Sequence, residues 1–412
     1  MSHSVFNTLT LPNGTVLPNR LAKAAMEENM AECGHLPGKG IFQLYETWAA
    51  GGTGLLITGN VMVDHRAMTG PGGIALEADS PLEPFKQWTS AGKKNGTHIW
   101  MQINHPGRQV YAAMGGQVLS PSNVALDMGK HSKLFAQPTP MTEDNIQELI
   151  QRFATTASRA VEAGFNGVQI HAAHGYLLSQ FLSPLTNQRT DQWGGSLENR
   201  ARLLYEIVKA VKKVVPMETA ISVKINSADF QRGGFDADDA LQVVKELGNL
   251  NVDLVELSGG SYESPAMQGN TADGRTLARE AYFLQFAKEI AKQAPMPIMT
   301  TGGIIRLAVA EQVLDEGVDM VGIGRALAFS PALPSLWKKF PQTQAVLPTV
   351  KWKDKTMAAL ATMAITKRQF RRMGKGRKPK TNASPAFSLI ADQVRLKKLT
   401  KIYRTRYANS SS

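Results

Sequence analysis

Two imidazoles and a phenol lie close together near the middle of the sequence. His171, His174 and Tyr176 come directly after the short apolar run from Gly167 to Ile170. Such a run, between a helix-like segment and a polar cluster, predicts a buried parallel strand. Parallel α/β folds place their chemistry just past strand ends. These groups can donate hydrogen bonds, and the phenol can also donate a proton. They are candidate catalytic residues, with loop capping as the structural alternative.

A metal site is a second interpretation of the histidine pair. His171 and His174 are three positions apart, so a helix would place both on one face, and His105 or His65 would supply a third ligand. No acidic residue accompanies the pair locally. We therefore expect no metal here.

Apolar runs alternate with helical patterns along most of the chain. The predicted strands are Leu21 to Met26, Gly54 to Thr58, His98 to Ile103, Gly167 to Ile170, Ala220 to Ile225, Val252 to Leu257, Pro297 to Thr300 and Asp319 to Ile323. The predicted helices are Gly40 to Ala50, Pro81 to Lys94, a helix capped by Thr142 and reaching Ala163, Leu197 to Val214, Asp238 to Leu247, Arg279 to Lys292 and Ala308 to Glu316. Eight βα units favour a closed (β/α)8 TIM barrel in residues 1–350. An open doubly wound sheet is disfavoured because no G-x-G-x-x-G follows the first strand.

Two segments outside this alternation also have interpretable patterns. Alternating apolar and polar residues around Asn13 and Gly14 predict an N-terminal β-hairpin that plugs one end of the fold. Residues 109–139 are polar with little periodicity, and loops of that length in compact domains are usually functional.

Cysteine usage and charge exclude several classes of protein. Cys33 is the single cysteine, so we expect no internal disulfide, no cysteine-based zinc site and no iron–sulfur cluster. The N-terminus lacks a secretory pattern and no apolar run is long enough to span a membrane, which predicts a cytoplasmic protein. The formal net charge is +12, yet residues 351–412 carry 17 Lys and Arg against two Asp. The cationic character therefore lies in the tail.

We interpret residues 351–412 as a basic, partly helical C-terminal extension. Met357 to Ile365 has a helical composition, Gly374 to Lys380 is a basic linker, and Leu389 to Tyr403 predicts a short amphipathic helix. A solvated extension docked on the barrel is one interpretation. A surface for anionic membrane or nucleic acid and a self-association element are the others.

Further candidate site residues lie at other strand ends. Gly302 and Gly303 follow the seventh strand and Gly324 and Arg325 the eighth, where barrels of this kind often bind phosphate. Glycine allows backbone N–H groups to approach an anion, and arginine binds phosphate through two parallel hydrogen bonds. Gln102 ends the third strand and suits the polar edge of a heterocycle, while Lys224 in the fifth suits a site of accumulating negative charge. Together they predict a flat, phosphate-bearing cofactor.

Several of these motifs resemble a known family. They are Asn19-Arg20, Gln102-x-x-His105-x-Gly107-Arg108, the run from His171 to Pro184, Asn187-x-Arg189-x-Asp191-x-Trp193-Gly194-Gly195-Ser196-x-Glu198-Asn199-Arg200, and the two glycine loops. Over about residues 5–345 the chain resembles the Old Yellow Enzyme family of FMN-dependent NAD(P)H oxidoreductases. The resemblance implies a TIM barrel with FMN at the C-terminal ends of its strands.

The resemblance also implies a reaction. NADH or NADPH would reduce FMN, and flavin N5 would deliver hydride to the β-carbon of an activated alkene such as an enone. His171 and His174 would bind the carbonyl oxygen and Tyr176 would protonate the α-carbon. The cofactor-binding residues would be Ala24, Ala25, Met26, Glu27, Asn60, Gln102, Lys224, Gly302, Gly303, Gly324 and Arg325.

Two residues depart from the common family pattern. Glu27 stands where the family usually has threonine or cysteine near flavin O4, and an ionised carboxylate there should disfavour anionic reduced flavin. Lys224 replaces the usual arginine near flavin N1. Members with an iron–sulfur domain are excluded because Cys33 alone cannot ligate a cluster.

The expected function is therefore an FMN-dependent ene-reductase acting on a small-molecule alkene. The alternatives are an NAD(P)H oxidase or a flavin or quinone reductase, and a catalytically weak barrel whose basic tail binds an anionic partner. No nucleic acid is expected to bind the barrel itself.

Overall fold

A closed parallel barrel forms the body of the molecule. The computed structural model describes residues 4–268 and 280–408. The barrel strands are β3 (Leu21–Lys23), β4 (Leu55–Ile57), β7 (His98–Asn104), β10 (Gly167–Ala172), β11 (Ala220–Asn226), β12 (Leu254–Ser258), β13 (Ile298–Thr300) and β14 (Met320–Ile323). They pair in chain order, β14 pairs with β3, and β10 pairs with β7. The predicted (β/α)8 TIM barrel is confirmed.

Short strands accompany the barrel outside this ring. They are β1 (Leu9–Thr10), β2 (Val16–Leu17), β5 (Val61–Met62), β6 (Ile74–Ala75), β8 (Leu119–Ser120) and β9 (Thr139–Pro140). Strands β1 and β2 pair antiparallel, and their buried Leu9 and Leu17 pack with Trp100 and other inward-facing residues of the barrel. The hairpin thus closes the end of the barrel opposite the carboxyl ends of the strands.

Helices cover the outside of the barrel. They are α1 (Lys39–Ala49), α2 (Glu83–Gly92), α3 (Glu143–Glu162), α4 (Leu177–Leu182), α5 (Leu197–Val214), α6 (Ala237–Asn249), α7 (Leu284–Ala291), α8 (Leu307–Asp315), α9 (Ala326–Phe329) and α10 (Leu333–Lys339). Thr142 caps α3 as predicted, because its side chain accepts from the Asn145 N–H in a capping box. The helix predicted from Arg279, a residue outside the described ranges, begins only at Leu284. The left-handed φ of +57° at Ala281 is incompatible with an earlier start.

The C-terminal extension folds back onto the barrel. It contains α11 (Lys355–Met373) and α12 (Pro385–Tyr403), and α12 is longer than predicted because Ser384 caps it with Pro385 at its first position. The ring of Phe370 meets Trp48 of α1 edge-on at 5.6 Å, and the Tyr403 hydroxyl donates to the His65 carbonyl. Within the described residues, no helix has both the length and the apolarity needed to cross a membrane.

The contact between Phe370 and Trp48 predicts how strongly the extension is attached. Phe370 is 1% exposed, so Phe370→Ala should lower the free energy of unfolding by about 3–5 kcal/mol through lost burial and a cavity. Urea unfolding measures this. Phe340→Ala, at a 63% exposed ring, is the matched control and should change stability by less than about 0.5 kcal/mol. Equal effects of the two changes would contradict the observed docking.

Candidate active site

Three neighbouring strands, β7, β10 and β11, carry candidate side chains close together in the register of the barrel. In the parallel register His171 of β10 is opposite Lys224 of β11, and Lys224 is opposite Glu256 of β12. On the other side of β10, Gln169 is opposite Gln102 of β7. The structure therefore brings together the predicted Gln102, His171 and Lys224.

The two histidines are held as neutral hydrogen-bonding groups. Burial, followed by the charge of Lys224, lowers the pKa of both imidazoles well below their usual value. The Ala173 N–H donates to His171 Nδ1 at 3.2 Å, which leaves the ring proton of a neutral His171 on Nε2. His174 Nε2 lies 2.7 Å from Ser258 Oγ, and its Nδ1 has no partner among the described residues. Each ring can thus present one nitrogen to a ligand.

His174 also has an unusual backbone conformation. Its φ is +63°, in the left-handed region that residues with a Cβ seldom adopt, and Gly175 follows at +73°. The His174 N–H donates to Asn226 Oδ1 at 3.0 Å, which supports this turn. Strained backbone of this kind is common at functional sites. The turn places Tyr176 beside His171, with ring centroids 5.0 Å apart.

Tyr176 remains a protonated phenol. Burial first, and then the charge of Glu27, raise the pKa of Tyr176 above its usual value. Its hydroxyl lies 3.2 Å from the hydroxyl of Tyr262, which the sequence did not single out. Phe135, in the long segment 109–139, packs between Tyr111 and Tyr262 with ring centroids 4.9 and 6.0 Å away. Aromatic rings therefore form one wall of the site.

A hydrogen-bonded chain that the sequence did not predict links the polar side chains inside the barrel. Gln102 Nε2 donates to Gln169 Oε1 at 2.8 Å, and Gln169 Nε2 donates to Glu256 Oε2 at 2.9 Å. Lys224 Nζ forms an ion pair with Glu256 Oε1 at 2.7 Å. Lysine has three N–H donors, so Lys224 can still bind a further acceptor. In the sequence, the charged Glu256 within the otherwise mostly apolar predicted strand Val252 to Leu257 was the feature that indicated a buried partner.

Glu27 lies past the end of β3 and is an ionised, hydrogen-bonded carboxylate. Thr69 Oγ1 donates to its Oε1 at 2.6 Å, and Lys367 Nζ lies 2.8 Å from its Oε2. Burial would raise the pKa of Glu27, but the Lys367 charge and the hydrogen bonds from Lys367 and Thr69 outweigh burial and lower it. Asn60 Nδ2 donates to Thr69 Oγ1 at 3.4 Å and so connects to the same group.

The carboxyl ends of β13, β14 and β3 lie next to one another in the barrel. A Cβ placed on Gly324 would lie 3.9 Å from the sulfur of Met26, which joins the two strand ends. Ala25, Met26, Gly302 and Gly303 are only partly buried, whereas Ala24 is 4% exposed. A Cβ on Gly302 would lie 2.6 Å from the Tyr282 nitrogen, and one on Gly303 would overlap the Tyr282 hydroxyl. Their φ values of +126° and +72° also favour glycine at both positions.

Arg325 is a cation without a counterpart in the described part of the chain. Its guanidinium makes no hydrogen bond or ion pair with any described residue, and burial lowers the pKa of this group. Because a buried charge is costly without a partner, this position favours an anionic ligand.

The structure does not place His171 and His174 on a helix, as the metal interpretation required. His171 lies within β10, one residue before its end, and His174 lies in the turn that follows. Among the described residues, potential metal-ligand atoms instead gather at Asp64, His65 and Glu77, within 4.8 Å of one another. Asp64 there already pairs with Arg66, and His65 with Glu77.

Comparison with known proteins identifies the family. The model of the NADH:flavin oxidoreductase / NADH oxidase family matches residues 4–343. The chain belongs to this family. An NADH-dependent flavin oxidoreductase (iliE) of Hypocrea jecorina is 37% identical over 350 residues, which cover 79% of this chain and 86% of the relative. Its namesake in a Neonectria species is 36% identical over 381 residues, 86% of this chain but only 50% of that longer protein.

Solved structures agree with this assignment to the Old Yellow Enzyme family. The Old Yellow Enzyme homologue of Zymomonas mobilis superimposes with a TM-score of 0.71 at 25% identity, covering 83% of this chain and 94% of that one. Morphinone reductase shares the fold, with a TM-score of 0.69 at 24% identity. The chain is accordingly an FMN-dependent oxidoreductase that uses NADH or NADPH.

The residues at these strand ends fit FMN. The guanidinium of Arg325, which has no partner among the described residues, and the backbone of Gly302 and Gly303 suit a phosphate, and the partly exposed Ala25 and Met26 suit an apolar ring.

Proposed function

We propose that the protein reduces an activated alkene, of the enone type, with FMN as cofactor and NADH or NADPH as reductant. The carrying observation is the arrangement at the end of β10, where the ring of His171 lies 5.1 Å from that of His174 and 5.0 Å from that of Tyr176, and burial favours the neutral form of all three. These groups match an electron-poor carbonyl compound, because the imidazoles can bind its oxygen and the phenol can supply a proton.

The proposed cofactor site extends from β3 around to β14. Gly302, Gly303, Gly324 and Arg325 would bind the phosphate, and Ala24, Ala25 and Met26 would line the ring. Glu27, Asn60, Gln102 and Lys224 would provide the polar contacts. When bound, FMN supplies the capacity to accept hydride from NADH or NADPH and to pass it to the substrate carbon.

The side chains after β10 would do the rest of the chemistry. The Nε2–H of His171 would hold the carbonyl oxygen together with the Nδ1–H of His174, in the tautomer whose Nε2 accepts from Ser258 Oγ, and both would stabilise the negative charge that develops there. Because both imidazoles stay neutral, they act as donors without protonating the oxygen. Tyr176 would give its proton to the α-carbon as general acid.

A labelling experiment tests this proposal. The protein is supplied with FMN, NADH and 2-cyclohexenone in D₂O without oxygen, and the product is examined by NMR. The proposal predicts a saturated ketone whose new α-hydrogen comes from solvent and whose new β-hydrogen comes from NADH. Consumption of NADH without any saturated product would contradict it.

Arg325 gives a separate prediction about the cofactor. Arg325→Met should weaken FMN binding by about 10- to 100-fold, since a charge-assisted hydrogen bond contributes about 1.5–3 kcal/mol. Titration of apoprotein with FMN, followed by flavin fluorescence, measures this. Arg202→Met, on the outer helix α5, is the control and should leave the affinity unchanged. An unchanged affinity for FMN in Arg325→Met would show that Arg325 does not bind the phosphate.

An oxidase is the second candidate function. A Thermoanaerobacter brockii protein described as an NADH oxidase is 33% identical over 338 residues, covering 80% of this chain but 50% of that protein. An oxidase needs no proton donor to carbon, so the position of Tyr176 favours alkene reduction.

A further inference from the structure

The C-terminal extension reaches the candidate active site through one side chain. Lys367 of α11 places its Nζ 2.8 Å from Glu27 Oε2, although 340 positions separate the two residues in the chain. Their side chains are only 11% and 23% exposed. Since Thr69 donates to the other oxygen, Glu27 has one donor on each oxygen, and its cation comes from the extension.

The packing of α11 fixes the position of Lys367. Ile365 and Phe370, on either side of it in sequence, are both 1% exposed, and Gln369 is fully buried. Lys367 therefore differs from the mobile lysine of a surface ion pair. Such a surface pair contributes little to the free energy of unfolding. Removing one partner of a buried pair leaves an uncompensated charge, and this is costly.

The ion pair lies beside groups that the proposed function uses. Burial and then the charge of Glu27 raise the pKa of Tyr176, and Glu27 also contributes, after burial and the two neighbouring tyrosines, to the raised pKa of Tyr262. At Tyr111 burial raises the pKa, the Lys367 charge lowers it and the Glu27 charge raises it. Glu27 directly follows Met26, whose sulfur borders Gly324. A net charge at Glu27 would therefore act both on the proposed proton donor and on the proposed FMN site.

We propose that Lys367 is a positioning residue of the active site, which compensates the charge of Glu27 and so keeps the reduction potential of bound FMN independent of that carboxylate. This inference rests on the proposed function only for the location of FMN. It also revises the expectation that Glu27 alone disfavours reduced flavin, because the carboxylate and ammonium together carry no net charge.

The test measures the midpoint potential of bound FMN, anaerobically, from about pH 6 to pH 9, where a buried unpaired carboxylate can titrate. Lys367→Met should have a lower potential than the wild type at high pH. Its potential should return towards wild type as the pH falls, because Glu27 then becomes protonated. Glu27→Gln combined with Lys367→Met, which removes both charges, should lack this added pH dependence.

Other titratable groups around the pair do not produce the same signal. Tyr111, Tyr176 and Tyr262 face Glu27 with raised pKa values and stay protonated in this range. Asp392 of α12 also acts on Lys367, but it pairs with Arg371 at 2.9 Å.

Two control variants separate the effect of a positive charge at position 367 from the effect of the total charge of the extension. Lys367→Arg keeps the charge and should retain the wild-type profile. Lys375→Met removes an exposed lysine from the same extension and should also leave the profile unchanged. An identical pH profile in Lys367→Met and wild type would overturn the proposal.

A second measurement applies if Lys367→Met does not retain FMN. Urea unfolding at high pH then compares this substitution in the wild-type and Glu27→Gln backgrounds. A larger loss of stability in the presence of Glu27 supports the pairing, and an equal loss overturns it. A wild type with the expected potentials but no alkene reduction would refute the proposed function and leave this inference standing.

Discussion

Tyr176→Phe is expected to reduce the rate of alkene reduction by about 100- to 10,000-fold, the usual contribution of a general acid. The ring is retained, so its packing against His171 should persist, and only the proton donor is lost. Reduction of bound FMN by NADH needs no proton from Tyr176 and should remain at the wild-type rate. Stopped-flow absorbance of the two half-reactions, measured separately, tests both expectations.

The control for this change is Tyr205→Phe, which removes a hydroxyl from the outer helix α5 and should affect neither half-reaction. Equal loss of both half-reactions in Tyr176→Phe would show that Tyr176 supports the cofactor site instead. An unchanged rate of alkene reduction would mean that another group, such as the neighbouring Tyr262, supplies the proton.

His171→Ala is expected to lower the turnover number for alkene reduction by about 100- to 1,000-fold. This is the typical effect of removing one donor from a site of developing negative charge. The variant should also bind the carbonyl compound more weakly, while NADH still reduces FMN. Steady-state kinetics with a series of enone concentrations separates the effects on kcat and KM.

A histidine at the opposite end of the barrel provides the control for His171→Ala. His98 begins β7, whereas the candidate site lies at the carboxyl ends of the strands. His98→Ala should therefore leave kcat and KM for the enone unchanged. If His171→Ala also left kcat and KM unchanged, the carbonyl oxygen would have to bind elsewhere.

The barrel and most of its strand ends were predictable because local patterns encode them. Each barrel strand is a short apolar run followed by a turn, and Thr142 begins its helix with a recognisable cap. The structure places His171 opposite Lys224, and Gln102 opposite Gln169, two residues earlier on the strand of His171. Their assignment to FMN and substrate remains a prediction.

The partners of these residues were harder to predict because they come from distant parts of the chain. Strands buried on both faces give no alternation from which the inward direction of Gln169 or Glu256 could be deduced. The contact of Lys367 with Glu27 depends on how the extension docks, and its basic composition only indicated a solvated or anion-binding surface. At least one positive charge of the basic extension, that of Lys367, is therefore paired inside the protein and does not lie on its surface.

The most direct test of the proposed alkene reduction is a visible absorption spectrum of the purified protein, recorded anaerobically and repeated after each addition. We expect a yellow protein whose absorption bleaches when NADH or NADPH is added and recovers when an enone follows. Failure of the enone to restore the colour, with recovery only on admitting oxygen, would contradict alkene reduction and favour an oxidase.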